Sequence, residues 1–227
     1  MNRHSLKIPL PSLKRLPGYV HFLRSLNCEG ASMVSTTDIG RALRLDPTQV
    51  RKDLAFAGAE GRPRVGYHVA ELIDVLELFL GWRNSSDAFL VGTGHLGSAL
   101  LGYHGLREHG LNLVAAFDSS PSKVGQEVHG VTVLDVARLP GLASRMRVHI
   151  GVLTVPSDAA QETAEKMVEG GIVSIWNFAP ISLRLPDEIF VQSGELYGQL
   201  AVLLRQTEEV VARNNFQHAY GRMKGDT

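Results

Sequence analysis

Cysteine is almost missing from this chain: Cys28 is the only one in 227 residues. An internal disulfide is therefore excluded, and the composition fits a reducing compartment. Cys28 falls in an apolar-periodic stretch, where a small buried hydrophobe is the expected role. No apolar run reaches the roughly 18 residues that a spanning helix requires. The N-terminus carries basic residues without the apolar block of a signal peptide, so a cytoplasmic chain with no membrane contact is expected. Aromatic residues are few, 7% of the total. Of those in the first third, Tyr19, Phe22 and Phe56 fit core positions, which argues against a stacking platform for single-stranded nucleic acid. No pattern of metal ligands is read anywhere. Net charge is also lacking, but the zero hides an asymmetry: residues 1–68 hold 11 Lys/Arg against 5 Asp/Glu, and residues 69–227 hold 12 against 18. A basic head on an acidic body points to a polyanionic partner for the head alone.

The most informative run is present rather than absent. Phe89 to Gly97 reads F-L-V-G-T-G-H-L-G, and the apolar run Val114 to Phe117 ends in Asp118, 21 residues after Gly97. Each part answers a demand of a bound dinucleotide. Gly92 permits the tight turn out of a strand, Gly94 lets backbone approach a pyrophosphate, and Gly97 lets the next helix pack against the sheet. Thr93, His95 and Leu96 complete this loop, whose helix directs its N-terminus at the phosphates. Asp118 falls where a carboxylate accepts hydrogen bonds from the adenosine ribose and repels a 2′-phosphate, favouring NAD(H). Lys123 follows, over the adenine side or on the surface.

The head reads as a first amphipathic helix, two short helices and a hairpin. Leu13, Leu16, Val20, Leu23 and Leu26 recur at helical spacing over residues 13 to 27. Ser35 to Asp38 resembles a capping box, opening a short second helix. Asp46-Pro47-Thr48-Gln49 is a stronger start signal, with Asp46 as cap and Gln49 able to reach back. Val50 and Leu54 then face inward, leaving Thr48, Gln49, Arg51 and Lys52 outside. Paired glycines around Arg62-Pro63-Arg64 read as a hairpin with a cationic tip, and Val65, Tyr67 and Val69 alternate as a strand. A helix-turn-helix with such a wing places side chains in the major groove of duplex DNA and arginine in the minor groove. Asp53 is awkward beside phosphate; it either orients a neighbouring arginine or caps another element.

Residues 69 to 80 read as a further helix and 81 to 87 as a connection. Strands are then expected over 88–91, 113–117, 147–154 and 172–178, with helices over 95–109 and 157–169. Near-continuous apolar strands between helices imply a parallel sheet covered on both faces. Ligands sit beyond the carboxyl ends of such strands. Thr154-Val155-Pro156 and Asn177-Phe178-Ala179-Pro180 occupy those positions, either as ligand contacts or as ordinary strand-to-loop punctuation. In the tail, Leu196, Leu200, Leu203, Leu204, Thr207, Val210 and Val211 form one apolar stripe that must bury against its own domain or a second copy.

Taken together, the chain resembles the Rex family of bacterial redox-sensing transcriptional repressors. The matching stretches are Arg15 to Tyr19, Val50 to Leu54, Val65 to Val69, Gly92 to Leu100, Phe117-Asp118, Thr154 to Pro156 and Asn177 to Pro180. The resemblance implies an α/β chain with a winged helix at residues 1–80, a Rossmann-like parallel-sheet domain at 84–192, and a dimerisation helix and tail at 193–227, exchanged between the subunits of a homodimer. It implies a repressor that binds double-stranded operator DNA when NADH is scarce and leaves it when NADH binds, NAD+ competing for the same pocket. By resemblance, Gly92 to Gly97, Asp118, Thr154 to Pro156 and Asn177 to Pro180 hold the coenzyme, with Tyr103 near the nicotinamide. Arg15 matches a family arginine that pairs across the dimer with an Asp, here replaced by Glu195. Thr48, Gln49, Arg51, Lys52, Arg62, Arg64 and Tyr67 are the expected DNA contacts. This chain departs from the family with Ala57-Gly58 in place of Phe-Gly and Arg64 in place of Gly.

The alternative is an NAD-dependent oxidoreductase with an accessory head. An enzyme needs a proton donor or acceptor beside the nicotinamide. His95 lies at the wrong end of the cofactor, and Tyr103, His104 and Lys123 lack the partners that mark a base. A regulator without catalytic residues is therefore expected.

Overall fold

The computed structural model describes residues 8–194 and 196–223. Contacts divide the chain into two units: residues up to Ser86 together with Tyr103–Asn112, and Asp87–Gly102 together with the residues from Leu113 on.

The first unit opens with α1 (Leu10–Cys28). Its buried face carries Leu16, Tyr19, Val20 and Leu23, against Ile39, Val50, Leu54, Leu72 and Leu76. Cys28 is exposed, contrary to the expectation, because that face has turned away from the last residue of the helix. β1 (Met33–Val34) leads into α2 (Thr36–Leu43), which starts in a reciprocal capping box between Ser35 and Asp38. The turn to α3 (Pro47–Phe56) is tight: a Cβ on Gly40 would lie 2.7 Å from the Leu45 carbonyl oxygen. Asp46 caps α3 by accepting from the amides of Thr48 and Gln49 at 2.8 and 3.1 Å. The wing is shorter than the alternation implied. Only β2 (Tyr67–His68) pairs with β1, while Val69 is already the first residue of α4 (Val69–Phe79).

The sheet begins with β3 (Ser86–Val91), followed by α5 (His95–Leu101), α6 (Gly105–Glu108) and β4 (Leu111–Asp118). One helix was expected over 95–109, and two form instead. Gly102 and Gly105 weaken the helix between them, and the Tyr103 ring occupies the space where a Gly105 side chain would begin. β5 (Glu127–Val128) and β6 (Val131–Asp135) make a hairpin whose two turn residues, His129 and Gly130, both have positive φ (49° and 81°). That is the backbone twist a two-residue hairpin needs. α7 (Leu139–Met146), β7 (Ile150–Leu153), α8 (Ser157–Glu169), β8 (Ser174–Asn177) and β9 (Phe190–Ser193) complete the layer.

Strand order is β5-β6-β4-β3-β7-β8-β9. Pairs β3/β7, β4/β6, β7/β8 and β8/β9 are parallel, and β5/β6 is antiparallel. Chain order reverses direction beside β3, leaving a crevice above its carboxyl end, where open α/β sheets hold ligands. Phe89 and Phe117 meet in the core with ring centroids 5.0 Å apart, beside Leu153, Met167 and Ile175. The chain ends in α9 (Leu196–Met223). Tyr197, Leu200, Leu203, Leu204, Val210 and Val211 on this helix are 48% to 69% exposed. The expected apolar stripe is thus uncovered within a single chain.

Candidate functional sites

In the head, Arg51 of α3 and Arg62 and Arg64 of the wing line one open cavity of about 430 Å³ with Ser35, Thr36 and Tyr67. None of the three guanidinium groups has a carboxylate partner among the described residues. The wing tip is closed by Arg62 and Gly66, each donating its amide to the other's carbonyl at 2.7 and 3.0 Å. Arg64 at its apex adopts φ 63°, a left-handed conformation that a side chain strains by roughly 1 kcal/mol or more. The Tyr67 ring lies over Gly61, where a Cβ would approach it to 2.7 Å, so the tyrosine also buttresses the wing. Thr48 and Lys52 are exposed on the same helix as Arg51.

Behind this surface lies a buried polar network. Asp53 has no exposed surface. It accepts from Arg15 Nε at 2.7 Å and Nη2 at 2.9 Å, from the Tyr19 hydroxyl at 2.6 Å and from Gln49 Nε2 at 2.8 Å. Of the two roles open to Asp53, the structure selects the orienting partner of an arginine, and that arginine is Arg15. Gln49 does not reach back to its helix start; its amide turns to Asp53. Burial pushes the Asp53 carboxyl up, but bonds from Arg15, Tyr19, Ser12 and Gln49 outweigh it and hold the group at about 2. Burial and the neighbouring carboxylate drive the Tyr19 hydroxyl far above its usual range. Glu195, the expected distant partner of Arg15, lies outside the described residues.

In the sheet unit the three glycines form the tight turn that the spacing predicts. Gly92 has φ 99°, and a Cβ there would meet the Thr154 backbone at 2.8 Å. A Cβ on Gly97 would lie only 2.0 Å from the Gly92 carbonyl oxygen. Gly94 has nothing within 4 Å of that position, so its backbone faces open space. The turn is clamped from both neighbouring strands: Gly92 donates its amide to Phe117 at 2.8 Å, and the Thr154 hydroxyl lies 2.8 and 3.0 Å from the carbonyl oxygens of Gly92 and Val91. Thr154 is therefore a brace as well as a lining residue.

A cavity of about 620 Å³ opens above this loop, lined by Gly92, Gly94, Asp118, Lys123, Thr154 and Pro156 among others. Asp118 is not the bare carboxylate that its spacing implied. Its Oδ2 accepts from the Thr93 amide and hydroxyl at 2.9 and 2.7 Å and from Lys123 Nζ at 2.9 Å, and its Oδ1 accepts from the Ser120 amide at 2.9 Å. Burial opposes ionisation here too, but the lysine and these donors keep the carboxyl at about 2. Lys123 neutralises the charge that was expected to repel a 2′-phosphate.

Other expected residues are placed elsewhere. His95 lines a second cavity of about 640 Å³ with Thr93, Gly94, Ser98, Lys123 and His129, two of which, Gly94 and Lys123, also line the first. Tyr103 is exposed and lines neither cavity. Asn177 is closed into its own turn: its Nδ2 donates to the Ile181 carbonyl and its Oδ1 accepts from the Ala179 amide, both at 2.9 Å. Phe178 packs on Trp176 at 4.7 Å, and Asn177 to Pro180 do not line the cavity above the glycine loop. Sequence reasoning missed Val136 and the α8 residues Ala159, Glu162, Thr163 and Lys166, which form its opposite wall. The 159/162/163/166 spacing is one helix face, so the amphipathic pattern of α8 held a usable signal. Among the described residues, no group of three or more His, Cys, Asp or Glu is placed to hold a metal, and no helix is long and apolar enough to cross a membrane.

Comparison with known proteins supplies independent findings. A family described as "CoA binding domain" matches residues 83–181, and one described as "Putative DNA-binding protein N-terminus" matches residues 7–55. The chain is 43% identical over 204 residues to the redox-sensing transcriptional repressor Rex of Porphyromonas gingivalis, covering 90% of this chain and 94% of that one. It is 40% identical over 210 residues to the Rex of Thermotoga petrophila, covering 92% and 99%. Among solved structures it is similar to RSP in complex with β-NAD+ and operator DNA, with a TM-score of 0.82, 31% identity, and coverage of 97% and 98%. RSP with β-NADH gives the same TM-score and identity over 92% and 98% of the two chains.

Proposed function

The chain belongs to the Rex family of redox-sensing transcriptional repressors, and we propose that it couples operator binding by its head to NAD(H) binding over its glycine loop. It is a regulator rather than an enzyme. The observation that carries this reading is the presence, in one chain, of two complementary cavities. One is lined by three cations without acidic partners among the described residues, and the other sits over a pre-formed glycine turn beside the Asp118 carboxylate. Arg51, Lys52, Arg62 and Arg64 engage phosphates and base edges, with Thr48, Gln49 and Tyr67 beside them. Gly92 to Gly97 hold the pyrophosphate, and Asp118 with Lys123 meets the adenosine ribose. Thr154 to Pro156 shape the wall, and Asn177 to Pro180 support the nicotinamide end.

NADH and NAD+ differ by one charge and by the planarity of one ring. Either shifts a conformational equilibrium only through its differential affinity for the two states. NADH favours the form that leaves the operator; NAD+ occupies the same cavity with less bias. Two copies associate through the exposed stripe of α9, matching a two-fold operator, and the protein works in the cytoplasm. Arg15, Tyr103 and Glu195 register the coenzyme's state; operator release that is unchanged in Arg15→Ala would remove Arg15 from that role. The test of the whole reading is operator binding across NADH/NAD+ ratios at fixed salt, using a duplex selected by the protein from a randomised pool. Affinity should fall as NADH rises. Equal affinity with and without NADH overturns the proposal.

A further inference from the structure

Gln49 is set differently from the other candidate DNA contacts. Arg51, Arg62 and Arg64 end in cations without a carboxylate partner among the described residues, whereas the Gln49 amide is held from behind by Asp53 at 2.8 Å. An ionised carboxylate accepts hydrogen bonds and donates none. The nitrogen of Gln49, not its oxygen, must therefore face Asp53, whichever way such an amide is first drawn. The charge of Asp53 is secured by Arg15 and Tyr19, at 2.6 to 2.9 Å, with no route to solvent through its own surface. One amide hydrogen of Gln49 is consumed. What remains for a ligand is Oε1, as an acceptor, and the second hydrogen on Nε2.

That remaining pair has a specific complement. In the major groove adenine presents a donor at N6 beside an acceptor at N7, whereas guanine presents two acceptors. With both amide hydrogens free, a glutamine can donate to guanine N7 and O6 together. With one hydrogen held by Asp53, Nε2 can serve only one of those acceptors, and Oε1 is then turned against the other, whereas on adenine it meets the N6 donor. We propose that Asp53 is a positioning residue for operator reading, which by tethering Gln49 commits that side chain to recognise adenine and reject guanine at one base pair in each half-site. This rests on the head being an operator reader, as proposed above, and adds which base is read and what enforces the choice. The tether also joins the base reader to Arg15 on α1, so a shift of α1 relative to α3 is felt at the base-reading amide.

The test uses the full-length protein and a duplex selected from a randomised pool, then remade with every single base-pair change. Wild-type protein, Gln49→Ala, Asp53→Asn and the double variant are titrated against the set at one salt concentration. An asparagine at position 53 can donate as well as accept, so it allows both orientations of Gln49. One adenine-to-guanine change per half-site should cost wild-type protein roughly tenfold to a hundredfold in affinity. Gln49→Ala should erase that preference and leave the other positions unchanged. Asp53→Asn should erase most of it, and adding it to Gln49→Ala should remove nothing further at that base pair. Should Asp53→Asn fail to fold, Gln49→Ala alone decides whether a single adenine is read. Uniform weakening across all duplexes by either variant assigns only a structural role and overturns the inference while operator binding itself stands. Failure of wild-type protein to select any duplex removes the operator reading, and this inference with it.

Discussion

Asp53 and Asp118 are both buried, both held near 2, and both surrounded by donors, yet one is sealed and the other borders a cavity. Around Asp53 the partners are side chains of α1 and α3: Arg15, Tyr19 and Gln49. Every donor belongs to the head, and the carboxylate fixes one helix against another. Around Asp118 the partners are the Thr93 residue of the glycine loop, the Ser120 amide and Lys123, whose side chain is 40% exposed. Arg15 and Lys123 both keep some access to water, so the difference lies in the acceptor: Asp53 has no surface of its own and would be stranded by a departing donor, whereas Asp118 borders a cavity. The same chemistry thus makes a rigid joint in one unit and a ligand-ready edge in the other.

The comparison breaks most readily at Asp53. Asp53→Ala leaves the Tyr19 hydroxyl buried without its acceptor and Arg15 without its counter-charge, at a cost of about 4 kcal/mol to the head. Thermal denaturation should show this, with the sheet unit unaffected; an unchanged melting profile would contradict the joint. Acid should act in the same sense on both carboxylates. Each has a folded value of about 2 against an ordinary 3.8, so its contribution is complete above pH 4 and is lost as pH falls toward 2. Asp53→Asn should flatten that loss for the head alone.

Next in size is the glycine loop. Gly97→Ala drives a Cβ into the Gly92 carbonyl and should destabilise the sheet unit by about 3 kcal/mol and abolish NADH binding, followed by fluorescence titration. Gly94→Ala meets nothing within 4 Å, so it should leave the melting temperature alone and weaken NADH at least tenfold. Equal stability losses in the two variants would refute the division of roles between these glycines. Lys123→Ala should cost less than about 1 kcal/mol in stability. It uncovers the Asp118 charge, so the preference for NADH over NADPH should rise several-fold in competitive titration. The smallest effect is expected from Arg64→Gly. Relief of the left-handed strain should stabilise the head by up to about 1 kcal/mol. Operator affinity should drop, with the slope of its salt dependence reduced by about one.

Much of this arrangement was legible before any coordinates. The α8 boundaries, the caps at Ser35 and Asp46, the glycine turn and the position of Asp118 follow from local rules that act within a few residues. What escaped depends on partners far apart in the chain. Nothing near residue 53 announces Arg15 and Tyr19, which are 38 and 34 positions away. Lys123 was read as an adenine-side or surface cation because a salt bridge leaves no periodic trace. The β5–β6 hairpin was missed since His129-Gly130 lacks the Asn-Gly or Asp-Gly signature, although its backbone does the same thing. Its loss also concealed Val136 as a wall residue. Asn177 stands next to a proline turn as a ligand contact would, and the hydrogen bonds by which its amide also holds that turn together could not be read from its neighbours.

The clamping of Gly92 by Phe117 and Thr154 has a consequence in time. A loop already held from two sides needs no rearrangement before a dinucleotide settles on it, so arrival is governed by diffusion and departure by affinity alone. With an arrival rate on the order of 10⁷ M⁻¹ s⁻¹, an occupant's stay lengthens in direct proportion to its affinity. A protein built this way remembers an earlier metabolic state only for as long as that stay.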